Sequence, residues 1–212
     1  MKYLLISLII FLGVLLTYGQ SKFEVYAGIG YSNILKYQGS AQTFGLLPYG
    51  APNYRVTYNG GINFELYSNY YFNLKIGLGY YQRGSSDFIS LGKSNLAPQL
   101  GYIRFPININ YKLLNDKHFY FSGGIAPGIL VKNYSKVIDF NAFTAAKKFQ
   151  IDYELGIIFP VYKHFNCKIT FAKGILPIDD PDSGISFRFP NYPPGLLRNI
   201  NISYDLNLIY KF

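Results

Sequence analysis

The sequence predicts an all-β protein, an eight-stranded antiparallel up-and-down transmembrane β-barrel preceded by a cleaved signal peptide. Three observations predict this class. Apolar and polar residues alternate with a period of two in about eight segments, as in strands that separate two environments. The connections between these segments are alternately short and long, and the last segment ends on an aromatic residue, Phe212. Membrane barrels combine short periplasmic turns with long external loops.

The N-terminus has the features of a secretory signal peptide. Lys2 supplies a positive charge, residues 4–16 are apolar, and Thr17 and Gly19 are small residues just before Gln20. The apolar stretch is short for a membrane-spanning helix, although a retained anchor is the alternative. We therefore predict a signal peptide over residues 1–19 and a β-barrel domain over residues 20–212.

The predicted strands follow one another along the rest of the chain. They cover residues 23–31, 59–66, 72–80, 103–112, 119–125, 151–159, 165–171 and 200–212. In the last strand, a shift of one residue would place Asp205 and Lys211 among the apolar side chains, so its register is strongly specified. We expect this strand to pair with the first and to close the barrel.

The connections support the same topology. Short ones are predicted at residues 67–69, 114–117 and 162–164, and long ones at 34–53, 84–97, 133–148 and 176–199. The short connections should face the periplasm and the long ones the exterior of the cell.

The alternation alone does not say which face is inside, because a soluble lipocalin-like barrel also alternates, with its apolar face inward. The signal peptide and the aromatic strand ends favour a membrane barrel. These aromatic residues are Tyr31, Tyr80, Tyr111, Phe119, Phe159, Phe165 and Phe212.

If the apolar faces meet lipid, the charged residues of the strands face the lumen. An eight-stranded barrel has little room for an aqueous channel, and buried charges must be paired or hydrated. We therefore predict a plugged, polar lumen. Its predicted charge network consists of Glu24, Glu65, Lys75, Arg104, Lys112, Asp152, Glu154, Lys168 and Asp205, with Arg55, Arg83 and Lys211 on the same faces.

Four segments carry a resemblance to a known family. They are residues 77–84 (GLGYYQRG), 100–112 (LGYIRFPININYK), 119–124 (FYFSGG) and the closing strand. Together they resemble the PorT-like family of outer-membrane β-barrel proteins of Gram-negative bacteria. The resemblance implies an eight-stranded outer-membrane barrel and a closing strand, with Tyr210 and Phe212, that the barrel-assembly machinery recognises. The family includes a component linked to protein secretion across the outer membrane.

Candidate catalytic and metal-binding residues are few. His118 and His164 lie in or beside predicted short turns, where exposed turn residues are the simpler interpretation than an acid–base pair. Asp179, Asp180 and Asp182 could bind Ca²⁺, but their spacing is not that of a calcium loop, so a solvated acidic loop is favoured. Cys167 is the only cysteine, which rules out an intrachain disulfide. We predict no enzyme, cofactor or metal site.

The predicted function is therefore a non-enzymatic interaction or assembly role in the envelope, and the resemblance implies a place beside a secretion apparatus. Lipid-modifying enzyme, narrow channel and soluble periplasmic carrier are the alternatives. Predicted partners are outer-membrane lipid, the assembly machinery and an envelope or secretion-complex protein, and not nucleic acid. Removal of Lys2 with the signal lowers the net charge from +9 to +8. Loop aromatics could bind a partner or pack on the barrel rim; these are Phe44, Tyr49, Tyr54, Phe140, Phe143, Phe187, Phe189 and Tyr192.

Overall fold

A computed structural model describes residues 22–38, 47–49, 54–86, 89–91, 94–96, 99–113, 119–133, 148–176 and 197–212. The regular elements of these residues are all strands. Among them there is no helix of the length and apolar character needed to span a membrane. The predicted signal peptide and the predicted acidic loop at 179–182 lie outside the described residues.

Twelve strands are present in the described part of the chain. They are β1 Phe23–Gln38, β2 Leu47–Tyr49, β3 Arg55–Ser68, β4 Phe72–Gly84, β5 Ile89–Leu91, β6 Ser94–Leu96, β7 Gln99–Arg104, β8 Ile107–Lys112, β9 Tyr120–Asn133, β10 Phe149–Tyr162, β11 Phe165–Gly174 and β12 Leu197–Lys211.

The main sheet closes on itself as an antiparallel barrel. β1 pairs with β3 and β12, and the ring continues from β3 through β4, β7 and β8, β9, β10 and β11 back to β12. Because β7 and β8 both pair with β4 and β9, they occupy one position in the wall. The closed barrel therefore has eight strand positions, which confirms the predicted fold.

The interruption between β7 and β8 corrects the prediction of one strand over residues 103–112. Pro106 has no backbone N–H and cannot donate to the ladder. The neighbouring groups are still bonded: Phe105 donates its N–H to Pro127 O at 2.8 Å, and Pro106 O accepts from Gly77 N at 2.8 Å. The wall is thus continuous across the break.

The seam between the first and last strands is formed as predicted. Its register runs from Glu24 opposite Lys211 to Gln38 opposite Leu197. Since Gly28 lies opposite Asn207, the inward faces of both strands coincide along the seam.

Three predicted long connections contain strands and need correction. β1 extends to Gln38, β12 begins at Leu197, and a small β5–β6 hairpin lies within 84–97. Towards the C-terminal end of β1 and the N-terminal end of β12, both faces of the wall are buried. Asn33 and Ile202 are buried at outward positions, and Ile34 is buried at an inward position. The apolar–polar alternation therefore stops before the hydrogen-bonded ladder does.

The two faces of the wall are sorted as a membrane barrel requires. Val25, Ile29 and Leu208 are exposed on the outside, whereas Glu24 and Asp205 are buried inside. Since a soluble carrier barrel would show the opposite arrangement, this sorting supports a lipid-facing exterior.

Two of the predicted short connections lie fully within the described residues. The connection predicted at 67–69 is displaced, because β3 continues to Ser68 and the turn between β3 and β4 is at 69–71. The connection predicted at 162–164 is the turn at 163–164 between β10 and β11, where Lys163 has a positive φ of 37°. We call the end of the barrel that carries these turns the short-turn end, and the opposite end the long-loop end.

Candidate functional site: the polar lumen

Glycines on the inward faces of the strands make room for polar side chains. A Cβ atom at Gly30 would collide with the carboxylate of Asp205, and one at Gly79 would collide with the hydroxyl of Tyr26. These positions admit no side chain because a neighbour already fills the space. The lumen is therefore packed by the large polar residues.

Arg104 lies at the centre of the lumen. Its Nη2 atom is 3.0 Å from Asp152 Oδ2 and 3.0 Å from Glu154 Oε1, and its side chain is only 2% exposed. The guanidinium carbon is 4.4 Å from the centroid of the Tyr81 ring, and Tyr81 donates its O–H to the Tyr26 hydroxyl at 2.9 Å. One cation thus joins two carboxylates and an aromatic face, all fully desolvated.

A second cluster lies around Asp205, towards the long-loop end. Arg83 Nη2 is 3.2 Å from Asp205 Oδ2, and both side chains are almost completely buried. Asn59 Nδ2 donates to Asp205 Oδ1 at 3.2 Å, and Ser203 Oγ donates to Oδ2 at 3.1 Å. This carboxylate therefore has a paired charge and two further donors.

The third cluster lies at the short-turn end. Glu24 Oε1 is 2.6 Å from Lys75 Nζ and 3.6 Å from Lys211 Nζ. Lys168 Nζ lies 4.0 Å from Glu154 Oε2 and so connects this region with the central cluster. At the rim, the exposed Lys22 lies 3.7 Å from Glu65.

Most of the predicted charge network is brought together by these three clusters. Lys112 is the member that lies apart, with its ammonium 4.8 Å from the centroid of the Tyr70 ring. The predicted charge network names no neutral residue, although several neutral side chains complete the lumen. Tyr81 supports Arg104, and Gln150 bonds both Asp152 and Asn201. Tyr81 and Gln150 each lie one residue beyond a predicted strand, and continuing the alternation by that residue would have placed both on the inward face.

Little free space remains between the clusters. A central cavity of about 20 Å³ lies among polar side chains that include Glu154, Lys168 and Asp205. That volume accommodates about one water molecule. Among the described residues, this small cavity and the buried ion pairs favour a filled lumen over a continuous channel.

The aromatic end of β12 is packed against the first strand. The ring of Phe212 lies 5.1 Å from that of Phe23 and 4.8 Å from that of Tyr210, while Phe165 lies 5.1 Å from Tyr210. Phe212 N also donates to Phe23 O at 3.1 Å. The residues predicted as the assembly signal thus sit directly on the closing seam.

Two of the candidate chemical residues, His164 and Cys167, lie within the described residues. His164 lies exposed in the turn at 163–164, with its ring 6.0 Å from that of Tyr210, whereas His118 lies outside the described residues. Cys167 is a free, partly buried thiol on β11. No group of three or more potential metal ligands occurs among the described residues.

A family model described as "Outer membrane protein beta-barrel domain" matches residues 14–180. This match covers more than half of the chain. The chain belongs to this outer-membrane β-barrel family. No curated protein sequence matches it.

One solved structure of low sequence identity shares the fold of this chain, and two others give weaker matches. Neisserial surface protein A matches with a TM-score of 0.53 at 9% identity, covering 90% of this chain and 97% of the other. Ail of Yersinia pestis gives 0.43 at 13% identity, covering 92% and 100%. OprG of Pseudomonas aeruginosa gives 0.44 at 12% identity, covering 91% and 96%. At these identities the likeness to the neisserial protein concerns the fold alone.

Membership of the outer-membrane β-barrel family places the protein in the outer membrane. In such barrels the short turns face the periplasm. The short-turn end, near which Glu24, Lys75 and Lys211 lie inside the wall, is accordingly the periplasmic end.

Proposed function

We propose that this protein is a sealed, non-enzymatic outer-membrane barrel with an interaction or assembly role in the envelope. The observation that carries the proposal is the filled lumen, in which Arg104, Arg83 and Lys75 each neutralise buried carboxylates. A pore through this lumen would require these pairs to separate. Separating a buried pair costs several kcal/mol, so the closed state is strongly favoured.

The same features argue against the narrow-channel alternative. The central cavity holds about one water, and the charged groups around it are engaged with partners of opposite sign. Conduction needs sites that ions enter and leave easily. Side chains that are locked in ion pairs do not provide such sites.

Residues 1–19 and the end of β12 suggest how the protein is exported and how it is inserted into the membrane. We propose that residues 1–19 are removed as a signal peptide and that Tyr210 and Phe212 form the signal recognised by the barrel-assembly machinery. The packing of Phe212 on Phe23 supports the second point, since recognition and closure then involve the same residues. An intact-mass measurement of outer-membrane protein beginning at Gln20 would support cleavage, and retention of residues 1–19 would exclude it.

We further propose a PorT-like role near a secretion apparatus. Two residues of the segments that carry the resemblance, Arg83 and Arg104, are lumen cations of the observed clusters. The resemblance therefore concerns the residues that seal the barrel. A sealed barrel contributes to secretion by holding partner proteins, not by conducting substrate.

The experiment that tests the interaction role is recovery of the tagged barrel from cross-linked, detergent-solubilised envelopes. We expect a defined partner at a fixed ratio, which is lost when the external loops are deleted or the periplasmic rim is altered. Recovery of the barrel without any specific partner would contradict the role. In parallel, outer-membrane lipids should be unchanged by His118→Ala and His164→Ala; a lost lipid modification would favour the enzyme alternative.

A further inference from the structure

The lumen charges are distributed unevenly between the two ends. Among the side chains that the structure describes, four lysines accompany two glutamates inside the wall at the periplasmic end, and three arginines accompany three carboxylates in the other half. The periplasmic set is Lys75, Lys112, Lys168, Lys211, Glu24 and Glu65, and the other set is Arg55, Arg83, Arg104, Asp152, Glu154 and Asp205. Among these residues the net charge is +2 (4 − 2) at the periplasmic end and 0 (3 − 3) in the other half.

Part of this excess charge is accessible from the periplasm. The side chain of Lys211 is 30% exposed, and Lys112 is partly exposed. Both lie beside Tyr120, which is the register partner of Lys112 and whose ring centroid is 5.8 Å from Lys211 Nζ. Lys112, Tyr120 and Lys211 therefore line one side of the mouth.

The turn at 69–71 presents two tyrosines beside this mouth. Tyr70 and Tyr71 are exposed and pack edge to face, with ring centroids 5.1 Å apart. Asn69 Oδ1 accepts from Tyr71 N at 2.9 Å and from Phe72 N at 2.8 Å, which fixes the turn. Lys112 also donates its backbone N–H to Tyr71 O at 2.7 Å. The tyrosines are thus held in place before any partner binds.

We propose that this mouth, formed by Tyr70, Tyr71, Lys112, Tyr120 and Lys211, docks an acidic segment of a periplasmic protein. Carboxylates of the segment would pair with Lys112 and Lys211, while the exposed tyrosines supply rigid aromatic contact area. The inference rests on the proposed interaction role and names the partner class at the periplasmic end.

The orientation of these groups favours a protein segment over membrane lipid. Lys112 and Lys211 belong to the inward faces of β8 and β12, and the Lys112 ammonium lies over the Tyr70 ring of the turn, so neither lysine faces the outer wall. Lipid headgroups surround the outer wall, where Phe72 and Tyr111 are exposed. A ligand that reaches the two lysines must approach from the periplasm.

The test uses the full-length mature protein in nanodiscs of neutral phosphatidylcholine, with fluorescent decaglutamate as the probe. Fluorescence anisotropy should detect binding that weakens as salt is added, because the contacts are electrostatic. The Lys112→Gln/Lys211→Gln double variant should bind at least about tenfold more weakly. Lys132→Gln, at the opposite end of β9, is the matched control and should bind like the wild type.

Equal affinity of the double variant and the control, or no binding by the wild type, would overturn the inference. A second experiment uses nanodiscs that contain phosphatidylglycerol and measures bound lipid by native mass spectrometry. Lipid retention that depends on Lys112 and Lys211, without decaglutamate binding, would identify the mouth as a lipid site and would also overturn the docking inference. Heat-modifiable migration of every variant verifies folding. If decaglutamate does not bind while cross-linked envelopes still yield a partner, only the docking inference is wrong. If decaglutamate binds but no envelope partner exists, the proposed function falls, and with it the partner class, while the affinity of the mouth for carboxylates stands.

Discussion

Arg104 illustrates at the scale of one residue how the barrel keeps charges in its interior. Its two carboxylate neighbours, Asp152 and Glu154, carry more negative charge than it neutralises, and Lys168 supplies the balance next to Glu154. The planar face of Arg104 rests on Tyr81. A lysine here would have no planar group for stacking and only a point charge for two carboxylates.

Loss of one buried partner should be costly. We expect Arg83→Met to lower the free energy of unfolding by about 3 kcal/mol, since Asp205 would then be buried without a countercharge. Urea titration of the folded barrel in detergent micelles measures this change. Lys22→Gln, which breaks the pair of a mostly exposed lysine with Glu65, should change stability by less than about 1 kcal/mol. Similar effects of the two variants would show that Arg83 is not held in a desolvated pair.

Glycine positions allow a second comparison. Gly79→Ala should destabilise the barrel by about 1–3 kcal/mol, because the new methyl group meets the Tyr26 hydroxyl and the backbone of β3. Gly123→Ala is the matched control, since its Cβ would meet only a Leu155 methyl at ordinary contact distance. The same unfolding titration compares the stability of the two variants. An unchanged free energy of unfolding for Gly79→Ala would mean that the lumen has room for a methyl group at this position.

At the scale of elements, β12 combines register, closure and a terminal aromatic cluster. Its outward residues Tyr204, Leu206 and Leu208 face lipid, while Asp205 and Asn207 complete the lumen. Because successive side chains point to opposite faces, a slip of one residue would exchange lipid-facing and buried groups along the whole strand. The alternation therefore disfavours every one-residue shift of the seam.

Deletion of Phe212 should reduce the amount of barrel in the outer membrane severalfold. The deletion removes the ring that packs on Phe23 and Tyr210, and with it the proposed recognition signal. Heat-modifiable migration of outer-membrane fractions reports the folded amount. Phe72→Ala, which removes an outward aromatic of β4 away from the seam, is the control and should insert normally. Normal insertion of the deletion variant would refute both roles of Phe212.

At the scale of the whole molecule, the sequence was sufficient for the barrel, its strand number and the closing pair of strands. A wall between lipid and a polar lumen requires apolar and polar residues to alternate, so the alternation predicts each strand. The prediction of strand ends was wrong where that contrast stops, as at Asn33 and Ile202, which are buried although they lie at outward positions. The interruption at Pro106 leaves the patterning intact, so only the absent N–H indicated it.

The candidate site was less accessible to sequence reasoning. Charges on the inward faces could be identified by position, but their partners depend on contacts across the lumen. Lys75 reaches Glu24 past the intervening strand β3, and Arg83 meets Asp205 from a strand that is not its neighbour. Sequence separation gives no indication of such pairs.

The central claim, that ion-paired side chains seal the lumen, is tested most directly by single-channel recording in a planar lipid bilayer. The mature wild-type protein should insert without measurable conductance across a range of voltages, while a porin in the same bilayer serves as positive control. Stable, reproducible conductance steps from the wild-type barrel would contradict this claim. They would show that a continuous aqueous path passes the clusters around Arg104, Arg83 and Glu24.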